Sequence, residues 1–92
     1  MASEDQYFEK MRSTCEDANN AKNVLELAIV KMIILFKVFV DLRNEFRTLN
    51  PNVFEKLVEA SKTVQSFYKF AKSQGLKMGS SQFRKYFVVA EG

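Results

Sequence analysis

The chain has no histidine and no tryptophan, a single cysteine and a single proline, and three glycines among its 92 residues. Each scarcity excludes something. Without histidine, the commonest general base and the commonest transition-metal ligand are missing. Cys15 can form no intrachain disulfide, and with no histidine it lacks the usual activating base, so it reads as a small buried apolar side chain. Pro51 and Gly75, Gly79 and Gly92 all fall in the second half. A chain this poor in turn residues does not supply the turn every 8–12 residues or so that a multi-stranded β fold needs. Few turns imply few, long elements.

Hydrophobic residues make up 47% of the sequence, enough for a globular core. The length suits one domain, here taken as residues 1–92. The N-terminal stretch MASEDQYFEK is acidic and lacks the order of a secretory signal. Val24–Leu42 is the most apolar segment, yet Glu26, Lys31, Lys37 and Asp41 interrupt it and its longest uncharged run is five residues. Charges inside hydrocarbon cost a few kcal/mol each, so the segment reads as a buried core helix of a cytoplasmic protein.

The periodicity predicts an all-α protein, a small bundle of three long helices plus a short C-terminal helix. Ser3 and Gln6 form a capping box that opens the first helix, with Glu4 and Asp5 in its first turn and Tyr7, Phe8, Met11 and Cys15 on one stripe. Asp17–Asn20 is expected to end it. The second element begins near Asn23. Its continuous run Met32-Ile33-Ile34-Leu35-Phe36 breaks strand alternation, while Asn23, Glu26, Lys37, Asp41 and Glu45 fall within about 100° on a helical wheel. One narrow polar stripe implies neighbours on most sides, hence a central position. Asn50-Pro51 marks a break, with Leu49 as an outer staple. A third helix is predicted over Pro51–Gln74, burying Leu57, Ala60, Val64, Phe67, Tyr68 and Ala71. Gly75 is its C′ residue, with Leu76 as the apolar partner beyond. After a loop over Lys77–Ser80, Ser80 or Ser81 caps a last short helix around Gln82–Val88.

Charge is distributed unevenly. Residues 1–50 carry net −1 and residues 51–92 net +4. Lys62, Gln65, Lys69 and Lys72 are expected on one polar face of the third helix, followed by Lys77, Arg84 and Lys85. Such a ridge can follow a phosphate backbone; the plainer alternative is a solvated helix face. Neither a zinc-finger nor an RNP-type pattern occurs. A helix-turn-helix through Gly79 is disfavoured by the shortness expected of the last helix. The nine phenylalanines and three tyrosines mostly sit on apolar stripes, so core or interface is the default for them. Phe54, Val58 and Phe70 fall off the main core face and are candidates for a partner interface.

Catalytic and metal patterns are missing. Glu55 and Glu59 are an i, i+4 carboxylate pair with no completing ligands, better explained as a salt-bridged exposed face with Lys56 and Lys62, and no glycine-rich phosphate loop ends in G-K-[ST]. The expectation is a protein that is not an enzyme and needs no metal or cofactor.

Two segments carry a family likeness. FEKLVEASKTVQSFYKFAKSQG (Phe54–Gly75), with Glu59-Ala60 and Tyr68-Lys69-Phe70, and GLKMGSSQFRKYF (Gly75–Phe87), with Ser81, Gln82, Arg84 and Lys85, resemble the small all-helical subunits of CRISPR effector complexes. In those relatives the Ser-Gln-x-Arg element precedes the long helices; here it follows them. The resemblance covers about a third of the chain. It implies a non-catalytic subunit of a ribonucleoprotein complex that binds the crRNA-target duplex or the displaced single strand through its backbone. It further implies that the protein braces larger subunits and copies of itself, with Lys62, Lys69, Lys72, Lys77, Arg84 and Lys85 as phosphate contacts. The other reading of the same residues is a helical protein-protein interaction module, such as an adaptor, an inhibitor or a viral host-factor binder, without a nucleic-acid role.

Overall fold

The computed structural model describes residues 3–21 and 28–92, and of Ala28 only the backbone. Five helices follow in order: α1 (Glu4–Ala21), α2 (Ala28–Arg47), α3 (Glu55–Ala60), α4 (Val64–Ser73) and α5 (Ser80–Glu91). The fold is all-α, and there is no strand among the described residues. The start of the second element, with Asn23 and Glu26, lies outside them.

The capping box forms as the sequence dictates. Ser3 N–H donates to Gln6 Oε1 at 3.2 Å and Gln6 N–H to Ser3 Oγ at 3.4 Å, each satisfying a donor that the first turn leaves open. α1 then buries Tyr7, Met11, Thr14, Cys15, Ala18 and Ala21 on one stripe. It runs to Ala21, past the expected Asp17–Asn20 stop, because Asn19 spends its side chain on a distant loop rather than on a cap.

α2 is the central element. Met32, Phe36, Phe39, Val40, Leu42 and Phe46 are buried, and Arg43 with them. Phe36 meets Phe83 and Tyr86, while Arg43 reaches Phe87 and Glu91, so α5 runs parallel to α2. Tyr7 packs edge-on against Phe46, with ring centroids 5.6 Å apart. Six phenylalanines have no exposed surface: Phe36, Phe39, Phe46, Phe67, Phe83 and Phe87. Phe83 touches Phe36, Phe39, Phe67, Tyr68 and Phe87, which makes it the hub of the core.

The expected third helix over Pro51–Gln74 is corrected in two places. Pro51–Val53 forms a turn, with Phe54 N–H donating to Asn50 C=O at 2.8 Å and Asn52 N–H to Asn50 Oδ1 at 2.9 Å. The helix proper is then interrupted between Ala60 and Val64. Thr63 caps α4, accepting from Ser66 N–H at 2.9 Å, and the Ser61 carbonyl left open at the break accepts from Arg47 Nε at 3.1 Å. Leu57 and Ala60 on α3 stay in register with Phe67 and Ala71 on α4, so both short helices bury the same side. Gly75 takes φ +107° at C′, with Leu76 N–H bonded to Ala71 C=O and Gly75 N–H to Lys72 C=O in a Schellman pattern. The last helix is longer than expected. It starts after Gly79, with no side-chain cap, and runs to Glu91, whose carboxylate lies 2.7 Å from Arg43 Nη2.

Candidate nucleic-acid interface

α4 carries Gln65, Lys69 and Lys72 at i, i+4 and i+7, one solvent-facing strip. α5 lies beside it, and Arg84 Nη2 approaches Gln65 Oε1 at 3.4 Å. This contact sets the Arg84 guanidinium at the N-terminal end of the strip. At the other end the chain leaves α4 through Gly75 into the loop that holds Lys77. The loop is pinned: Asn19 Nδ2 donates to Gly75 C=O, Lys77 N–H donates to Asn19 Oδ1, and Tyr68 Oη donates to Met78 C=O, each at 2.8 Å. Arg84, Lys69 and Lys72 therefore follow α4, which spans roughly 15 Å at 1.5 Å per residue, and the loop that holds Lys77 leaves from its C-terminal end.

The remaining cations are placed differently. Lys62 lies in the break before α4, 2.9 Å from the Glu59 carboxylate, so it is committed to an exposed ion pair. Lys85 is exposed and sits 100° around α5 from Arg84. Arg12 escaped the sequence reading. It is one of three arginines in the acidic half, with nothing local to mark it, yet its Nη1 approaches Gln74 Oε1 at 3.4 Å beside the C-terminal end of α4.

The track has an acidic flank. A groove of about 560 Å³ runs between α3 and α4, lined by Phe8, Ala60 and Phe70 at its apolar base and by Glu55, Glu59, Lys56 and Lys69 among its polar groups. Lys69 thus borders both the strip and a groove that holds two carboxylates.

Of the candidate partner-interface residues, Phe54 and Phe70 are half-buried and pack on the core, Phe54 edge-on to Tyr7 at 5.9 Å and Phe70 on Phe8 at 5.3 Å. Val58 is also half-buried. The more exposed apolar side chains lie elsewhere: Ile29 (66%), Val30 (58%) and Ile34 (59%) on α2, Val53 after Pro51, and Val88 and Val89 on α5. Val30 and Ile34 continue, towards the N-terminus, the outward stripe that carries Lys37 and Asp41. That continuation was the available signal for them.

Cys15 is 1% exposed and its thiol contacts Ala71 C=O at 3.6 Å; burial pushes its pKa up to about 12. Among the described residues no helix is long and apolar enough to cross a membrane. Comparison with protein-family models, with curated proteins and with solved structures finds no match to this chain.

Proposed function

We propose that the protein is a non-catalytic small subunit of a cytoplasmic ribonucleoprotein complex that binds nucleic-acid backbone along α4 without reading sequence. The observation that carries this reading is the Arg84–Gln65 contact. It joins the basic start of α5 to the Lys69–Lys72 strip, so cations separate in sequence lie on one side of the molecule. Ammonium and guanidinium groups spaced along a rigid helix suit phosphates spaced along a strand, and counterion release supplies the affinity. The role is of the kind filled by the small subunits of CRISPR effector complexes, which residues Phe54–Phe87 resemble.

The test is binding of single-stranded and double-stranded oligonucleotides at two salt concentrations. Engaging about three phosphates should cost about 20-fold in affinity for a single strand and about 40-fold for a duplex between 50 and 200 mM salt. Reversing Lys69, Lys72 and Arg84 together to glutamate should abolish binding with helicity unchanged. Lys62→Glu alone should matter little, since Lys62 is already paired. Absence of binding by the unmodified protein at low salt would remove the reading.

A second reading is favoured by the exposure of Ile29, Val30 and Ile34. Contiguous apolar surface of this kind is the mark of a protein-binding face, and a helical interaction module without nucleic acid would use it alone. Loss of oligonucleotide binding with retention of a protein partner would select it.

A further inference from the structure

All twelve aromatic residues of the chain lie among the described residues, and none of them is exposed. Each is in ring contact with another inside the molecule. The rings nearest the basic strip in sequence show how they are held. Tyr68, beside Lys69, packs on Phe83 at 5.2 Å and donates its hydroxyl to the Met78 carbonyl at 2.8 Å. Phe70, on the other side of Lys69, packs on Phe8 at 5.3 Å, and Tyr86, two residues after Arg84, on Phe36 at 5.5 Å. The strip therefore offers cations and no stacking platform.

We propose that the ligand of the strip is a nucleic-acid duplex and that a single strand is the poorer ligand. This rests on the backbone-binding reading above and narrows it. Proteins that hold single strands well stack the open bases on exposed rings, at roughly fivefold or more in affinity per base. That source is closed here, because every ring is spent inside the fold. What remains is phosphate contact, and there the duplex has the advantage. Its higher charge density condenses more counterions, and each contact releases about 0.9 of one, against about 0.7 for a single strand. For contacts from Lys69, Lys72 and Arg84, and equal affinities at 1 M salt, the difference amounts to about fourfold at 0.1 M salt. Base edges hidden by pairing cost this surface nothing, since the one amide on the strip, Gln65, has its oxygen on Arg84 at 3.4 Å.

Fluorescence anisotropy of two labelled probes with equal numbers of phosphates, titrated with the full chain, reads the preference. One probe is oligothymidylate, which does not self-pair, and the other is a mixed-sequence DNA duplex. The duplex should bind about fourfold more tightly at 0.1 M salt, with log affinity falling against log salt at a slope of about −2.7, against about −2.1 for the single strand. Emission from the three tyrosines should not change on binding, because no base reaches a ring. Oligothymidylate that binds as tightly as the duplex overturns the inference and leaves backbone binding standing. Tyrosine quenching by oligothymidylate does the same. Binding of neither probe at 50 mM salt overturns the inference and the backbone-binding reading together. Lys69→Glu with Lys72→Glu, both at exposed positions, should abolish binding of both probes with an unchanged circular dichroism spectrum. Single-strand binding that survives in this variant reveals another contact surface and overturns the inference as well.

Discussion

Asn19 on α1 donates its side-chain amide to the Gly75 carbonyl at 2.8 Å, and the same side chain accepts from the Lys77 N–H, also at 2.8 Å. One residue thereby holds both sides of the turn that carries the chain out of α4. Local hydrogen bonds from Gly75 and Leu76 close the end of α4, and a contact spanning 56 residues ties the turn to α1. Asn19→Ala should cost about 1–3 kcal/mol, two hydrogen bonds at roughly 0.5–1.5 each, seen as a lower denaturant midpoint with unchanged m-value. If backbone-binding holds, the same change should weaken it, because Lys77 loses its anchor while every cation is retained.

Thr63→Ala tests the break between α3 and α4. Its hydroxyl accepts from Ser66 N–H at 2.9 Å, and losing an N-cap of this type costs about 1 kcal/mol. Chemical denaturation followed by circular dichroism should show that loss. Were α3 and α4 one continuous helix in solution, the substitution would be neutral or stabilising, since alanine is the better interior residue.

Two ion pairs should differ sharply. Lys62 and Glu59 are exposed on both sides, and Lys62→Ala should change stability by less than about 1 kcal/mol. Glu91, by contrast, meets an Arg43 side chain that is only 6% exposed and that also packs over the Phe87 ring at 5.1 Å. Glu91→Gln leaves a buried guanidinium with a weaker acceptor and should cost about 1–3 kcal/mol. Thermal melts of the two variants side by side provide the check.

Cys15 gives a pH dependence. Its thiol titrates near 9 when unfolded and near 12 when folded, so the unfolded chain holds fewer protons between those values. The stability contributed by the neutral buried thiol is complete below pH 9. It falls as pH rises above 9, by up to about 1.4 kcal/mol per unit. Cys15→Ala should flatten that slope in denaturation measured from pH 8 to 10.5. In the folded protein at pH 8, a thiol reagent should react at least about 10³-fold more slowly than with an unfolded control, because access requires opening.

Substitution of Phe83 and of Phe70 separates core from periphery. Phe83 is wholly buried among five other rings, and Phe83→Ala should cost about 3–5 kcal/mol. Phe70 is half-buried on Phe8 and Phe46, and its loss should cost clearly less in the monomer. Equilibrium unfolding of both variants decides it.

Much of the architecture was readable from local chemistry. Ser3 and Gln6 announce α1, and Gly75 with Leu76 announces the end of α4, because capping depends on a few adjacent residues. The break at Ser61–Thr63 was not readable. Leu57, Ala60, Val64, Phe67 and Ala71 keep one rhythm across it, so the apolar stripe carries no interruption. What holds the break open is Arg47, fourteen residues away on another helix. The basic strip on α4 was visible as Lys69 and Lys72. The pairing of Lys62 with Glu59 was legible only in part, and the approach of Arg12 to Gln74 not at all, because that approach is made across helices. The exposure of Val30 and Ile34 went unread for a related reason: apolar character says nothing of whether a neighbour is present to cover it.

The parallel course of α5 along α2 also governs how the chain can assemble. Phe36 gains its cover from Phe83 and Tyr86, Phe39 gains its cover from Phe83, and Arg43 gains its counter-ion from Glu91, all on α5. Until α5 is in place, the aromatic side of the central helix lacks the cover that Phe83 and Tyr86 supply. Removing α5 should therefore leave a sticky fragment rather than a smaller version of the fold.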